Sequence, residues 1–193
     1  QGYAKIYIGD SKEGWVEALK LFLEILTHHE YEHIKTVKFD YNSVRPRGEK
    51  LKTFGGTASG HEPLREMFEG FHKVLTNQID PSLAPLQRAY QGYYKARPIH
   101  ILDMGNLIGN NVVVGGVRRT AEIFLMGEKD YESLLAKYAI NGLWTDEQFK
   151  AHKKLGKRLD AIGEKPEWWD SIRLENGQNS REGLNHRRMS NNS

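Results

Sequence analysis

Ala4-Lys5-Ile6-Tyr7-Ile8-Gly9-Asp10-Ser11, the run KEGWVEALKLFLEIL over 12–26, and Ile34 to Asp40 (IKTVKFD) together decide the fold class. The first five residues alternate and are β-prone, which predicts a short strand. Gly9-Asp10-Ser11 breaks it. Trp15, Ala18, Leu19, Phe22, Leu23 and Leu26 then recur at three- and four-residue spacing, laying one apolar stripe along a helix from about Ser11 to His28. Asp10 or Ser11 can cap its first turn by accepting from free backbone N–H groups. Residues 34–40 are β-prone again and predict a second strand. Strand, capped helix, strand is a βαβ rhythm, so the fold class is α/β, with a parallel sheet or an α/β barrel.

Outward from that unit the pattern changes. Ser43 to Gly60 shows no period and holds Pro46, Gly48, Gly55, Gly56 and Gly60, a long irregular segment of the kind usually functional or disordered. A helix is predicted from about Glu62 to Thr76, with Pro63 in its first turn and Leu64, Met67, Phe68, Phe71 and Leu75 inward. Residues 77–98, with three prolines and Tyr90, Tyr93 and Tyr94, read as a connection or insertion. Apolar spacing at Ile101, Met104, Leu107 and Ile108 predicts a helix over 99–111. Val112 to Val114 runs into Gly115-Gly116, and Ala121 to Leu125 reads as a buried strand. Two further helices are predicted over 131–139 and 146–162, and a polar tail follows in which Trp168-Trp169 reads as an anchor. Residues 1–126 form the core of this organisation and 127–193 its periphery.

Composition narrows the function classes. Of 193 residues none is cysteine, which removes disulfide scaffolds, thiolate-bound metals and any thiol nucleophile supplied by this chain. The net charge is +3, and the cationic excess sits in 151–193 (9 Lys/Arg against 6 Asp/Glu), whereas 1–150 balance at 19 against 19. So slight a surplus argues against direct nucleic-acid binding. No apolar run approaches the roughly 18 residues needed to cross a bilayer, and no leader pattern is visible, so a cytoplasmic protein without a membrane partner is expected. His28, His29 and His33 lie in no recognisable zinc motif and read as solvated histidines near a helix end, so no metal site is expected.

Two Gly-rich loops carry the candidate chemistry. The first runs from Arg45-Pro46-Arg47-Gly48 to Phe54-Gly55-Gly56-Thr57-Ala58-Ser59-Gly60. Its glycines let backbone N–H groups approach an anion, Thr57 and Ser59 can donate, and Arg45 and Arg47 can neutralise phosphate. The bland alternative is a surface turn with two solvated arginines. The second is Val114-Gly115-Gly116-Val117-Arg118-Arg119-Thr120, where a strand entering a Gly-Gly hinge suits a movable loop laying guanidinium planes on a base or phosphate. Its bland alternative is a strand-to-strand turn. Asp10 and Ser11 at a helix start add a carboxylate for ribose hydroxyls and an anion-favouring terminus, with plain capping as the alternative.

GDSKEGW (Gly9 to Trp15), Phe39-Asp40-Tyr41 with RPRG, KTFGGTASGHEPL (Lys52 to Leu64), VVVGGVRRTAEI (Val112 to Ile123) and RRMSNNS (Arg187 to Ser193), in this order, resemble the middle of adenosylcobalamin-dependent, class II ribonucleotide reductases. The resemblance covers nearly the whole chain, more loosely in 77–98 and 127–185. It implies a part of a ten-stranded α/β barrel that reduces ribonucleotides to 2′-deoxyribonucleotides. In that family cobalt–carbon homolysis generates a cysteine thiyl radical that takes the substrate's 3′-hydrogen, and a cysteine pair supplies the electrons. A deoxynucleoside triphosphate at a specificity site selects the base. The resemblance implies effector binding at Asp10, Ser11, Arg45, Arg47, Gly55, Gly56, Thr57 and Ser59. It implies a substrate-specificity loop at Gly115, Gly116, Val117, Arg118 and Arg119, and a substrate-side stretch at Ser190, Asn191, Asn192 and Ser193.

The family's radical cysteine lies in an Asn-Pro-Cys-Gly-Glu motif downstream of Ser-Asn-Asn-Ser, and one reducing cysteine lies upstream of the position of Gln1. No catalytic residue is therefore assigned here. The expectation is one piece of a split enzyme, an engineered piece or a segment of a longer chain. Its partners would be a dNTP effector, a ribonucleotide substrate, the cysteine-bearing remainder of the reductase and a homodimer mate, with adenosylcobalamin bound mainly by that remainder. A nucleotide-sensing or interaction module without chemistry is the alternative.

Overall fold

In a computed structural model the described residues are 2–52, 55–80, 83–114, 117–118, 121–137, 146–166, 169, 185–188 and 190–192. Side chains are described for these except 113–114, 117–118, 148–149, 185, 188 and 190–192. The chain divides into two compact units, Gln1–Glu66 with Val113–Arg119, and Met67–Val112 with Thr120–Ser193.

The first unit opens with the predicted βαβ motif. Strand β1 (Tyr3–Tyr7) and strand β2 (Thr36–Asp40) pair in parallel, Tyr3 opposite Thr36 and Tyr7 opposite Asp40, with helix α1 (Lys12–Thr27) between them. Alternation along β1 buries Ile6, and Ile8 beyond its end, while Tyr3, Lys5 and Tyr7 stay exposed. Helix α1 buries Ala18 and Phe22 from the predicted stripe, and Phe22 meets Phe39 of β2 edge-to-face at 5.5 Å between centroids. Leu26, in the last turn of α1, is exposed. The unit also contains the hairpin of β5 (Val113–Val114) and β6 (Val117–Arg118), paired antiparallel with Val114 opposite Val117.

The second unit centres on helix α3 (Pro98–Asn111). The helix predicted over 99–111 is present, with Met104, Leu107 and Ile108 half-buried. Ile101 is 51% exposed, whereas Ile99, His100, Leu102, Asp103, Asn106 and Gly109 are buried. The buried face is half polar, so an apolar period could not find it. Leu83, Ile99, Leu102 and Ala136 form one core cluster, with Phe124 packed against it. Phe124 lies on β7 (Glu122–Phe124), which pairs in parallel with β8 (Ser190–Asn192). The strand expected to be buried over 121–125 is instead half-exposed, with Ile123 at 60% and Leu125 at 73%. A short hairpin of β3 (Gln87–Arg88) and β4 (Tyr94–Lys95) falls inside the predicted connection, turning at Gln91 and Gly92, both with positive φ. Helix α2 (Glu62–Leu75) follows its prediction and also buries Val74, which the pattern omitted.

Helices α4 (Tyr131–Leu134) and α5 (Asp146–Ala161) complete the second unit. The predicted helix over 131–139 is confined to its first turn, and residues 138–139 lie outside the described residues. Trp169 is 2% exposed among Leu135 and Leu159, stacks on His152 at 4.2 Å and meets Tyr131 edge-to-face. This is the anchoring expected of the tryptophan pair; Trp168 lies outside the described residues. Gly156 makes room for the indole, since a Cβ there would stand 2.6 Å from Trp169 Nε1. Gly156→Ala is therefore expected to destabilise. Overpacking costs about 1–3 kcal/mol, and the helix-propensity gain of about 1 kcal/mol offsets only part of it. A thermal midpoint at or above wild type would contradict this.

Candidate functional site: the strap and hairpin at the start of helix α1

The site is built where β1 hands over to α1. Ser11 takes the extended conformation of an N-cap and its Oγ accepts from Gly14 N at 2.9 Å, so of the two candidate caps Ser11 does the capping. Gly14 must be glycine for space: a Cβ there would lie 2.8–3.1 Å from the Gly9 backbone, so the helix's first turn rests on the chain leaving the strand. Asp10 is thereby released from capping and turns to the segment after β2. Its Oδ1 accepts from Arg45 N at 3.0 Å and its Oδ2 from Arg45 Nε at 2.8 Å. Each side chain is about one-third exposed (33% and 32%), so the pair holds a strap at a solvent-facing position.

The strap is shaped from both sides. Ile8 N donates to Asp40 O at 3.0 Å, carrying the parallel pairing past the end of β1. Asp40 accepts from Lys5 Nζ at 2.7 Å and from Asn42 N at 3.0 Å, and these contacts, Lys5 foremost, hold its carboxyl below the usual range. A turn at Tyr41–Val44 follows and delivers Arg45.

Beyond the strap the segment expected to be irregular is in fact paired. Gly48 N donates to Ala58 O (3.0 Å), Ala58 N to Glu49 O (2.7 Å) and Leu51 N to Gly56 O (3.0 Å), and Lys50 bridges Thr57 antiparallel. Gly55 and Gly56 sit near the tip with φ of 65° and 87°, exposed, with open space where a Cβ would be. Glycine is thus required there by backbone conformation rather than by crowding. Gly60, also at positive φ, brings its Cα side to within 3.2 Å of Arg47 N and Cβ, measured from an ideal Cβ. Ser59 Oγ donates to Gly60 O at 3.5 Å, a long contact.

Of the first set of candidates, the structure joins Asp10 and Arg45 directly, has Ser11 cap the adjoining helix, and sets Arg47 beside Gly60. Gly55, Gly56 and Thr57 occupy the hairpin. Phe54 lies outside the described residues. The 35-residue bond between Asp10 and Arg45 was not found from sequence, where opposite charge was its only trace. In the second loop the β5–β6 pairing leaves Gly115 and Gly116 between Val114 and Val117, the spacing of a two-residue hairpin. Gly115, Gly116 and Arg119 lie outside the described residues, and Val117 and Arg118 are described by backbone alone. Ser190, Asn191 and Asn192 form β8; Ser193 lies outside.

A separate charged cluster in the second unit was missed altogether. Arg187, fully buried, donates from Nε and Nη2 to both oxygens of Asp103 (2.6 and 2.8 Å). Its Nη1 donates to Asp80 Oδ2 (2.8 Å) and Ala136 O (3.1 Å), and His186 Nε2 lies 2.8 Å from Asp103 Oδ1. Burial raises the Asp103 pKa, but the Arg187 and His186 contacts outweigh it and bring it down to about 2. His100, buried nearby on α3, is pushed down by desolvation and then by the Arg97 charge. Among the described residues no group of three or more His, Cys, Asp or Glu could hold a metal ion, and no helix is long and apolar enough to cross a membrane.

Residues 2–75 match the family model for the insertion domain of B12-dependent ribonucleotide reductase. The chain is 39% identical over 134 residues to the adenosylcobalamin-dependent ribonucleoside-triphosphate reductase of Euglena gracilis, covering 68% of this chain and 16% of that protein. It is 35% identical over 122 residues to the enzyme of the same name from Levilactobacillus brevis, covering 63% of this chain and 15% of that protein. A crystal structure of B12-dependent (class II) ribonucleotide reductase superposes with a TM-score of 0.54 at 28% identity, over 69% of this chain and 16% of that one. The chain belongs to the class II, B12-dependent ribonucleotide reductase family, of which it is a partial piece. It spans about a sixth of the length of the relatives it matches.

Proposed function

We propose that this chain contributes deoxynucleoside triphosphate binding and substrate-base selection to a ribonucleotide reductase that converts ribonucleotides to 2′-deoxyribonucleotides. The observation that carries it is the Asp10–Arg45 pair, which ties the N-terminus of α1 to the strap leading into the Gly-rich hairpin. An ionised carboxylate has about four acceptor positions, and Arg45 takes two, leaving room for a ribose hydroxyl. The helix start, Arg45, Arg47 and the glycine-freed backbone of 55–56 suit the phosphates. The Gly115–Arg119 turn then carries base identity from effector to substrate, with Ser190–Ser193 on the substrate side.

On this reading residues 1–126 hold the specificity region of a partial ten-stranded α/β barrel and 127–193 lead back to it. The parallel β7–β8 pairing supports that return. The reductase acts in the cytoplasm. Its partners are the effector, the ribonucleotide, the cysteine-bearing remainder and a homodimer mate. Adenosylcobalamin supplies the radical when bound. On this reading the cofactor is bound mainly by the cysteine-bearing remainder.

Calorimetry of the assembled reductase tests the reading. Asp10→Asn and Arg45→Gln are expected to weaken dNTP binding about tenfold or more, the value of a charge-assisted hydrogen bond. Arg118→Ala or Arg119→Ala is expected to alter base selectivity more than effector affinity. No heat with any dNTP, or equal loss of turnover for all four substrates in the arginine variants, would overturn it. A cysteine-bearing partner chain or flanking sequence separates this reading from a nucleotide-sensing module without chemistry.

A further inference from the structure

We propose that Arg187 is a positioning residue. By clamping Asp103 and Asp80 it holds the parallel pair β7–β8, and so fixes the chain leaving the second Gly-rich loop against the Ser190–Asn192 strand. This rests on the specificity reading above, which gives those two segments their roles.

The geometry is continuous. β8 begins three residues after Arg187, and β7 begins three residues after Arg119. Both strands are referenced to one turn of α3. Phe124 of β7 packs against the cluster containing Leu102 and Ala136. Asp103, the next residue on α3, takes the Arg187 fork, and Ala136 O takes its Nη1. Glu122, the first residue of β7, has its Oε1 2.9 Å from where a Cβ on Gly105 would stand, so this end of β7 abuts α3 where the helix carries no side chain.

A fully buried guanidinium serving two carboxylates and a carbonyl contributes direction more than stability, because well-packed apolar residues of similar volume are often at least as stable. Five donors in a rigid plane fix how Arg187 docks on α3 at Asp103, which a lysine ammonium cannot reproduce. The β7–β8 register is then fixed with it, Glu122 against Ser190 and Phe124 against Asn192. On the specificity reading, the loop that precedes β7 in the chain is thereby joined to a strand held in one register.

The test uses the assembled reductase with Asp80→Asn, which keeps side-chain shape, and Arg187→Lys, which keeps charge. Amide hydrogen exchange is followed over 122–124 and 190–192 without nucleotide, alongside dNTP calorimetry and the ratio of substrates reduced with each effector. Exchange in both segments is expected to rise about tenfold while dNTP binding heat persists. The effector-dependent shift in substrate preference, about 5–150-fold for a typical coupling, is expected to collapse towards unity. Unchanged exchange overturns the clamp. Faster exchange or a lower melting point with full substrate preference makes Arg187 merely structural and overturns the proposal while leaving the specificity reading standing. A wild type showing no effector-dependent preference overturns both.

Discussion

Arg187→Met is expected to lower the unfolding free energy by about 3–5 kcal/mol, the usual effect of removing one partner from a buried ion pair. Asp103 and Asp80 are both buried, and the substitution takes the guanidinium from both carboxylates while His186 stays beside Asp103. The Ala136 carbonyl loses a donor as well. Methionine fills most of the volume, so the loss reports the missing guanidinium contacts rather than a cavity. Removing the charges too should recover much of it, since an apolar replacement of a whole cluster is often neutral. Urea unfolding of the full chain checks this. A shift under 1 kcal/mol would show that the carboxylates find water or take up protons at little cost.

Acid should unfold the second unit in two stages. The His100 pKa is lowered in the folded state, so the unfolded chain binds its proton more readily and stability falls as pH drops below about 6.5. Asp103, brought from 3.8 to about 2, stabilises the fold above its unfolded value, and that contribution is lost between about pH 4 and pH 2. At 1.36 kcal/mol per pKa unit this second stage is worth about 2 kcal/mol. Asp103→Asn should abolish it and leave the first stage in place. A stability profile flat from pH 5 to pH 2 would refute the assignment.

The sequence carried the βαβ unit clearly because every constraint on it is local. Alternation in β1, the 3.6-residue stripe in α1 and a capping hydroxyl at Ser11 each depend on residues within one element. The Gly-rich hairpin was half legible: glycines marked where φ turns positive, but the ladder from Glu49 to Ala58 has no side-chain period to reveal it. Helix α3 was legible as a helix but its most buried face was not, because that face carries His100, Asp103 and Asn106, and the partners of Asp103 are distant in sequence. Asp103 and Arg187 are 84 residues apart. A buried charge reads in a sequence as a solvated one until its counter-ion is seen. For the same reason Asp10 was placed in the site without Arg45 as its partner.

Each sheet among the described residues has only two strands, and β1–β2 is parallel. Parallel pairs seldom persist without further strands and covering layers. Among the described residues Tyr3–Tyr7 and Thr36–Asp40 pair with no third strand, so their outer flanks offer rows of peptide groups to a further strand. Such flanks can equally zip onto those of another copy, so handling at low concentration is the sounder route to a well-behaved sample.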